Sequence, residues 1–145
     1  MHSELQFLIR LLVAATLAAV LGWEREHARK AAGLRTHMLV GIAAALYTGI
    51  AELAVSEMPP HPGGFQADPI RVVQAVAIGI GFLGSGVIFV SRHEDRVQGL
   101  TTAASIWATA AIGMAAGLGH YVLAVGATIM LLFVLRVLVR FDTPD

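Results

Sequence analysis

Residues 77–117 read AIGIGFLGSGVIFVSRHEDRVQGLTTAASIWATAAIGMAAG, two apolar runs joined by one charged turn. The first run carries Gly79, Gly81, Gly84, Ser85 and Gly86, so a helix built from it has nearly bare faces that a neighbouring backbone can approach closely. In water such a helix is poor, because each interior glycine costs about 0.8 to 1.0 kcal/mol relative to alanine. Hydrocarbon leaves the backbone no hydrogen-bonding partner but itself and enforces the helix. A glycine-rich apolar run therefore points to a membrane.

Composition agrees. The 145 residues are 57% hydrophobic and 14% charged, whereas a soluble helical bundle needs about 25% charged residues to cover its surface. Formal net charge is zero, so electrostatic information lies in where the charges sit. No basic face or basic-aromatic stripe appears, which gives nucleic acid no support as a partner. Cysteine is absent, which excludes disulfides, thiolate chemistry and cysteine-based zinc sites.

Working outward, five apolar spans emerge, at residues 5–23, 37–55, 70–90, 101–118 and 121–141. Each is about 20 residues, enough for the ~30 Å hydrocarbon core at 1.5 Å per residue. The first is read as a retained span, because its basic residues follow the apolar run and no small-residue cleavage site precedes a polar segment. SEMPPHPGGFQAD, from Ser56 to Asp68, holds Pro59, Pro60 and Pro62 with two glycines, and no helix crosses it. Only Gly119 and His120 separate spans four and five, which requires a tight antiparallel hairpin. The expected architecture is an all-α membrane protein, a five-span transmembrane helical bundle in a single domain.

Lys and Arg counts in short loops set the expected orientation. With the first connection cytoplasmic, the inside holds Arg25, Arg29, Lys30, Arg35, Arg92, Arg96, Arg136 and Arg140, against Arg10 and Arg71 outside. The amino terminus and the proline-rich loop are then outside and the carboxyl terminus inside. A repeat also shows: Gly33-Leu34-Arg35-Thr36 opens span two and Gly99-Leu100-Thr101-Thr102 opens span four. Either spans 1–2 and 3–4 are related by an axis along the membrane normal, or Gly-Leu-x-Thr is simply a common helix start.

The candidate site is the cytoplasmic mouth, where Glu24, Arg25 and Glu26 end span one and Arg35, Thr36 and His37 begin span two. A charge at bilayer depth costs about 2.5 to 3.5 kcal/mol, so acids near hydrocarbon should face the protein and find a basic partner. The expected pairing is Glu24 or Glu26 with Arg35. Such a cluster either gates or binds an ion or partner, or anchors and orients two helices. Glu24 and Glu26 point about 200° apart on a helix and cannot together hold one octahedral magnesium ion. No metal ligand set and no cofactor motif is read. The six histidines lack metal spacing, and Ser105, Thr101 and Thr102 have no Asp and His near them in sequence, so no enzymatic activity is expected. Trp23 and Tyr121 are expected at the membrane interface and Trp107 in the core. Small residues are expected to pack the bundle, Ala77, Gly81 and Ser85 on span three, Gly113 and Gly117 on span four, and Gly41, Ala45 and Gly49 on span two, with spans three and four closely packed on each other through Gly81 and Ser85 against Gly113 and Gly117.

GWERE at 22–26, AGLRTHMLV at 32–40, GIGFLGSGVI at 79–88 and GLTTAASIWATAAIGMAAG at 99–117 together resemble the MgtC/SapB family of bacterial inner-membrane proteins. The likeness runs from about Leu5 to Val139. It implies a small multi-pass protein linked to magnesium homeostasis or to survival in magnesium-poor, acidic conditions, and in some members restraint of the membrane ATP synthase. Longer members carry a soluble carboxyl-terminal domain, and here only Asp142 to Asp145 follow the last span, so the membrane part is expected to stand alone. Two readings result: a non-enzymatic regulator acting through contacts in the bilayer, or a small-ion or solute transporter. The partners are then lipid, a membrane protein such as ATP synthase by family resemblance, and copies of the same chain.

Overall fold

Short caps and glycine turns cut the chain into helices where the apolar pattern breaks. A computed structural model describes residues 2–56, 68–90 and 97–138. These form α1 (His2–His27), α2 (Leu34–Ser56), α3 (Pro69–Val90), α4 (Leu100–Gly117) and α5 (Tyr121–Val137). The proline-rich connection with His61, the charged turn at 91–96 and the last part of the fifth expected span lie outside the described residues.

The start of α3 follows from its sequence. Asp68 caps it, its Oδ1 accepting the Ile70 N–H at 3.0 Å, and Pro69 takes the first helical position, where its missing N–H is no loss. The tight hairpin is a Schellman turn: the His120 N–H reaches the Ala115 carbonyl at 2.8 Å, and Gly119 supplies the left-handed residue at φ 81°. α1 ends the same way with a less suitable residue, Arg29 at φ 52°, while Lys30 N–H donates to the Arg25 carbonyl.

α1, α2 and α4 are mutually in contact and form the centre; α3 lies against α4 and α2, and α5 against α4 and α1. The membrane character is plain on the outside, where Leu12, Leu39, Ile78, Phe82, Val122 and Met130 are all exposed. The first four helices are long and apolar enough to cross a membrane, and α5 has 17 residues within its described part.

The centre is built of very small residues. Ala14, Ala18, Ala45 and Ala116 are fully buried, with Ala44 and Ala110 close behind. Backbone meets backbone: a Cβ built on Gly113 would lie 3.0 Å from the Gly41 Cα and collide with the Gly41 carbonyl oxygen. One on Gly117 would strike Thr48 and lie 2.8 Å from the Ala45 Cα, and one on Gly41 would come within 2.6 Å of the Ala18 Cβ. The contact runs from His37 and Ser105 through Gly41 and Gly113 to Thr48 and Gly117, so α2 and α4 point the same way.

This relocates the close packing read from the sequence. Gly113 and Gly117 face α2, not α3. Gly79, Gly81 and Gly86 have nothing within 4 Å of a built Cβ, Ser85 is exposed and turns its hydroxyl back to the Phe82 carbonyl at 2.7 Å, and Ala77 is half-buried. Only Gly84 of that run is buried, against Ala103. Gly41, Ala45 and Thr48 offer α4 a matching row of small residues at close range, whereas a cavity separates Ala75 and Gly79 of α3 from the alanines of α2.

Candidate functional site

The last turn of α1 is pressed against the first turn of α2 because neither has a side chain in the way. A Cβ on Gly22 would lie 2.7 Å from the Leu34 Cα, and one on Gly33 would lie 2.9 Å from the Glu26 carboxylate. This approach buries Glu24 and Arg25, with Arg25 only 1% exposed.

Sequence neighbours satisfy each other there. Arg25 Nε donates to Glu24 Oε2 and Arg25 Nη2 to Glu24 Oε1 at 2.8 Å, a two-point ion pair. Arg25 Nη1 is buried and makes no hydrogen bond. Glu26, exposed on the other side of the helix, reaches forward to accept the Leu34 N–H at 2.8 Å, capping α2 from the end of α1. Glu26→Ala should lower stability by about 1 kcal/mol, the usual worth of an N-cap. Glu26→Gln should keep most of it, since the amide oxygen still accepts. Thermal unfolding in detergent checks both.

His37 is fully buried between the two helices and α4. Its Nδ1 lies 2.9 Å from the Gly33 carbonyl, which can only accept, so Nδ1 carries a proton. Its Nε2 lies 3.2 Å from Ser105 Oγ, whose hydroxyl also faces the Thr102 carbonyl at 2.8 Å. Glu24 and Arg25 are both close enough to act on the imidazole electrostatically. The result is a buried polar knot joining α1, α2 and α4.

Arg35 and Thr36 do not join it. Both are exposed and, among the described residues, Arg35 forms no ion pair. The expected partner of Glu24, Arg35, is replaced by Arg25 because His37 takes the inward face of α2. Residues one and two positions earlier are then about 100° and 200° around the helix, pointing away. Ser105 has no histidine near it in sequence; folding brings it His37. The pair is no Ser-His nucleophile, since Ser105 is 4% exposed and a carbonyl, not a carboxylate, holds Nδ1. Trp107, expected in the core, is 54% exposed, and Trp23 stacks on His27 with ring centroids 4.9 Å apart.

The opposite end has its own clasp. Arg10 donates to Glu52 and, at 3.0 Å, to the Gly117 carbonyl, tying α1, α2 and α4 together. Among the described residues no three His, Cys, Asp or Glu side chains come together as a metal site.

A sequence model of the MgtC family matches residues 11–143, nearly the whole chain. The chain belongs to the MgtC family. It is 42% identical over 134 residues to "Putative magnesium transporter YhiD" of Escherichia coli K12, covering 91% of this chain and 60% of that protein. It is 40% identical over 126 residues to "Protein MgtC" of Salmonella typhimurium LT2, covering 87% of this chain and 49% of the relative. An uncharacterized Haemophilus influenzae protein is 40% identical over 127 residues, 88% of this chain and 53% of that protein. This MgtC-family chain thus spans about half to three fifths of the relatives it matches. No solved structure matches it.

Proposed function

We propose that this MgtC-family membrane protein is a non-enzymatic regulator in magnesium homeostasis and in adaptation to low magnesium and acid stress, acting through contacts with another protein in the bacterial inner membrane. The observation that carries this reading is the backbone contact of α4 on α2 at Gly113 and Gly41, beside Ala18 of α1. Three helices meet there backbone to backbone through glycine and alanine, while α3 presents a largely open surface to the bilayer. ATP synthase, implied by the family resemblance, is one such partner.

A transporter is the second reading. It is favoured by the name given to the Escherichia coli relative and by a cavity of about 890 Å³ between α2 and α3, lined by Leu39, Tyr47, Val76 and Ile80 with Arg71 near one end. The two separate in proteoliposomes and in cells. A regulator should restore low-magnesium growth to a strain lacking its relative, while the purified protein gives no magnesium flux above empty liposomes. Flux that disappears on filling the cavity, as with Ala75→Trp, would overturn it.

The proposed orientation follows the charge bias, with the amino terminus outside and the Arg25 end of the bundle cytoplasmic. Single cysteines at His61 and Gln98 should label from the outside and the inside respectively. Labelling of both from one side would defeat this topology.

A further inference from the structure

Between the α1–α2 connection and the start of α4 lies a second cavity, of about 510 Å³, and one of its walls is cationic. Arg29, Lys30 and Ala31 form one side, and residues Val97 to Thr102 the other. The Schellman-type hydrogen bond from Lys30 N–H to the Arg25 carbonyl, with Arg29 in the left-handed region, fixes the backbone turn that carries both cations. Among the described residues neither forms an ion pair: Glu24 is taken by Arg25, Glu52 by Arg10, and Glu26 by the Leu34 N–H.

The opposite wall adds hydrogen-bond donors. α4 is capped by Gly99, which has no side chain to close the first turn, and the first helical hydrogen bond is Ala103 N–H to the Gly99 carbonyl at 2.8 Å. The N–H groups of Leu100, Thr101 and Thr102 precede it and have no acceptor within the helix. Half-exposed Val97 and Leu100 sit at the same rim. Two cations and three helix-start N–H groups without partners among the described residues, with an apolar edge at the end of a membrane span, together suit a phosphate group carried on an apolar body.

We propose that this cleft binds a phosphate group, that of an anionic lipid headgroup or of a free phosphate compound. The apolar rim favours the lipid, and the charge bias assigns this end to the cytoplasmic leaflet. The site lies outside the buried polar knot and does not depend on whether the protein is a regulator or a transporter.

The test uses the full chain in neutral detergent, with short-chain phosphatidylglycerol, phosphatidylcholine of the same chains, and inorganic phosphate as probes. Binding is read by native mass spectrometry and by the rise in melting temperature. Phosphatidylglycerol should bind more tightly than phosphatidylcholine, and Arg29→Gln with Lys30→Gln should weaken it about thirtyfold, roughly fivefold per cation. Arg29→Lys with Lys30→Arg should retain binding, and so should Arg71→Gln, which removes a charge at the other end of the bundle. Binding of inorganic phosphate with the same dependence on Arg29 and Lys30 would identify the free compound as the source. If neither probe binds, or if the Gln variants, melting normally without ligand, bind as the unmodified protein does, the proposal fails.

Discussion

Replacing Arg25 with methionine should destabilise the detergent-solubilised protein more than replacing Arg25 and Glu24 together. The single change leaves the Glu24 carboxylate, 7% exposed, without its two hydrogen bonds beside a closely packed α2. Breaking a buried pair from one side costs on the order of 3 to 5 kcal/mol, whereas replacing both partners by groups of similar shape can be nearly neutral. Arg25→Met with Glu24→Gln should therefore recover most of the loss. The asymmetry is sharpened by Arg25 Nη1, which has no hydrogen-bond partner among the described residues, so the pair begins incompletely compensated. Unfolding of the two single variants and the double variant gives the coupling directly. Simple additivity would mean that Glu24 and Arg25 do not depend on one another.

Leucine at Gly113 should be the most damaging single change in the membrane core, and leucine at Gly81 nearly silent. At Gly113 the new side chain meets the backbone of Gly41, which cannot rotate away as a side chain would, so the cost should reach or pass the upper end of the ~1 to 3 kcal/mol typical of overpacking. At Gly81 a Cβ meets nothing within 4 Å, and the effect should fall within about 0.5 kcal/mol. Gly126, with equally open space on α5, is the matching control; Ala124 on the same helix is fully buried and unsuited to that purpose. Melting temperatures in one detergent rank the three. Similar losses at Gly81 and Gly113 would show that α3 is also closely packed in the purified protein.

These predictions separate what a linear reading can see from what it cannot. The helical membrane bundle is legible because hydrocarbon imposes one backbone solution, and the Gly119–His120 hairpin because so short a link admits few turns. The small residues that pack closely are also visible as a class. Their partners are not: Gly81 and Gly113 sit in similar apolar surroundings, and only the row formed by Gly41, Ala45 and Thr48 decides which of them is covered. At the mouth, Glu24, Arg25, Glu26 and His37 stand out as charges close to hydrocarbon. Their pairing is hidden because adjacent residues on a helix ordinarily diverge, and because Ser105 reaches His37 from 68 positions away. Once His37 is known to face inward, the outward setting of Arg35 and Thr36 follows from helical geometry alone.

The alanine-rich interior has a consequence for how this protein varies. Ala14, Ala18, Ala45 and Ala116 have no rotamers to lose when the helices meet, so their association carries almost none of the side-chain ordering cost that leucine or methionine would bring. The same economy makes these alanine and glycine rows one-sided under mutation: they have almost nothing to lose, and nearly every change there adds volume. Alanine scanning, the usual way of finding which residues hold a fold together, would register larger neighbours such as Leu21, Ile106 and Ile112 and pass over these rows, whose positions are already alanine or glycine.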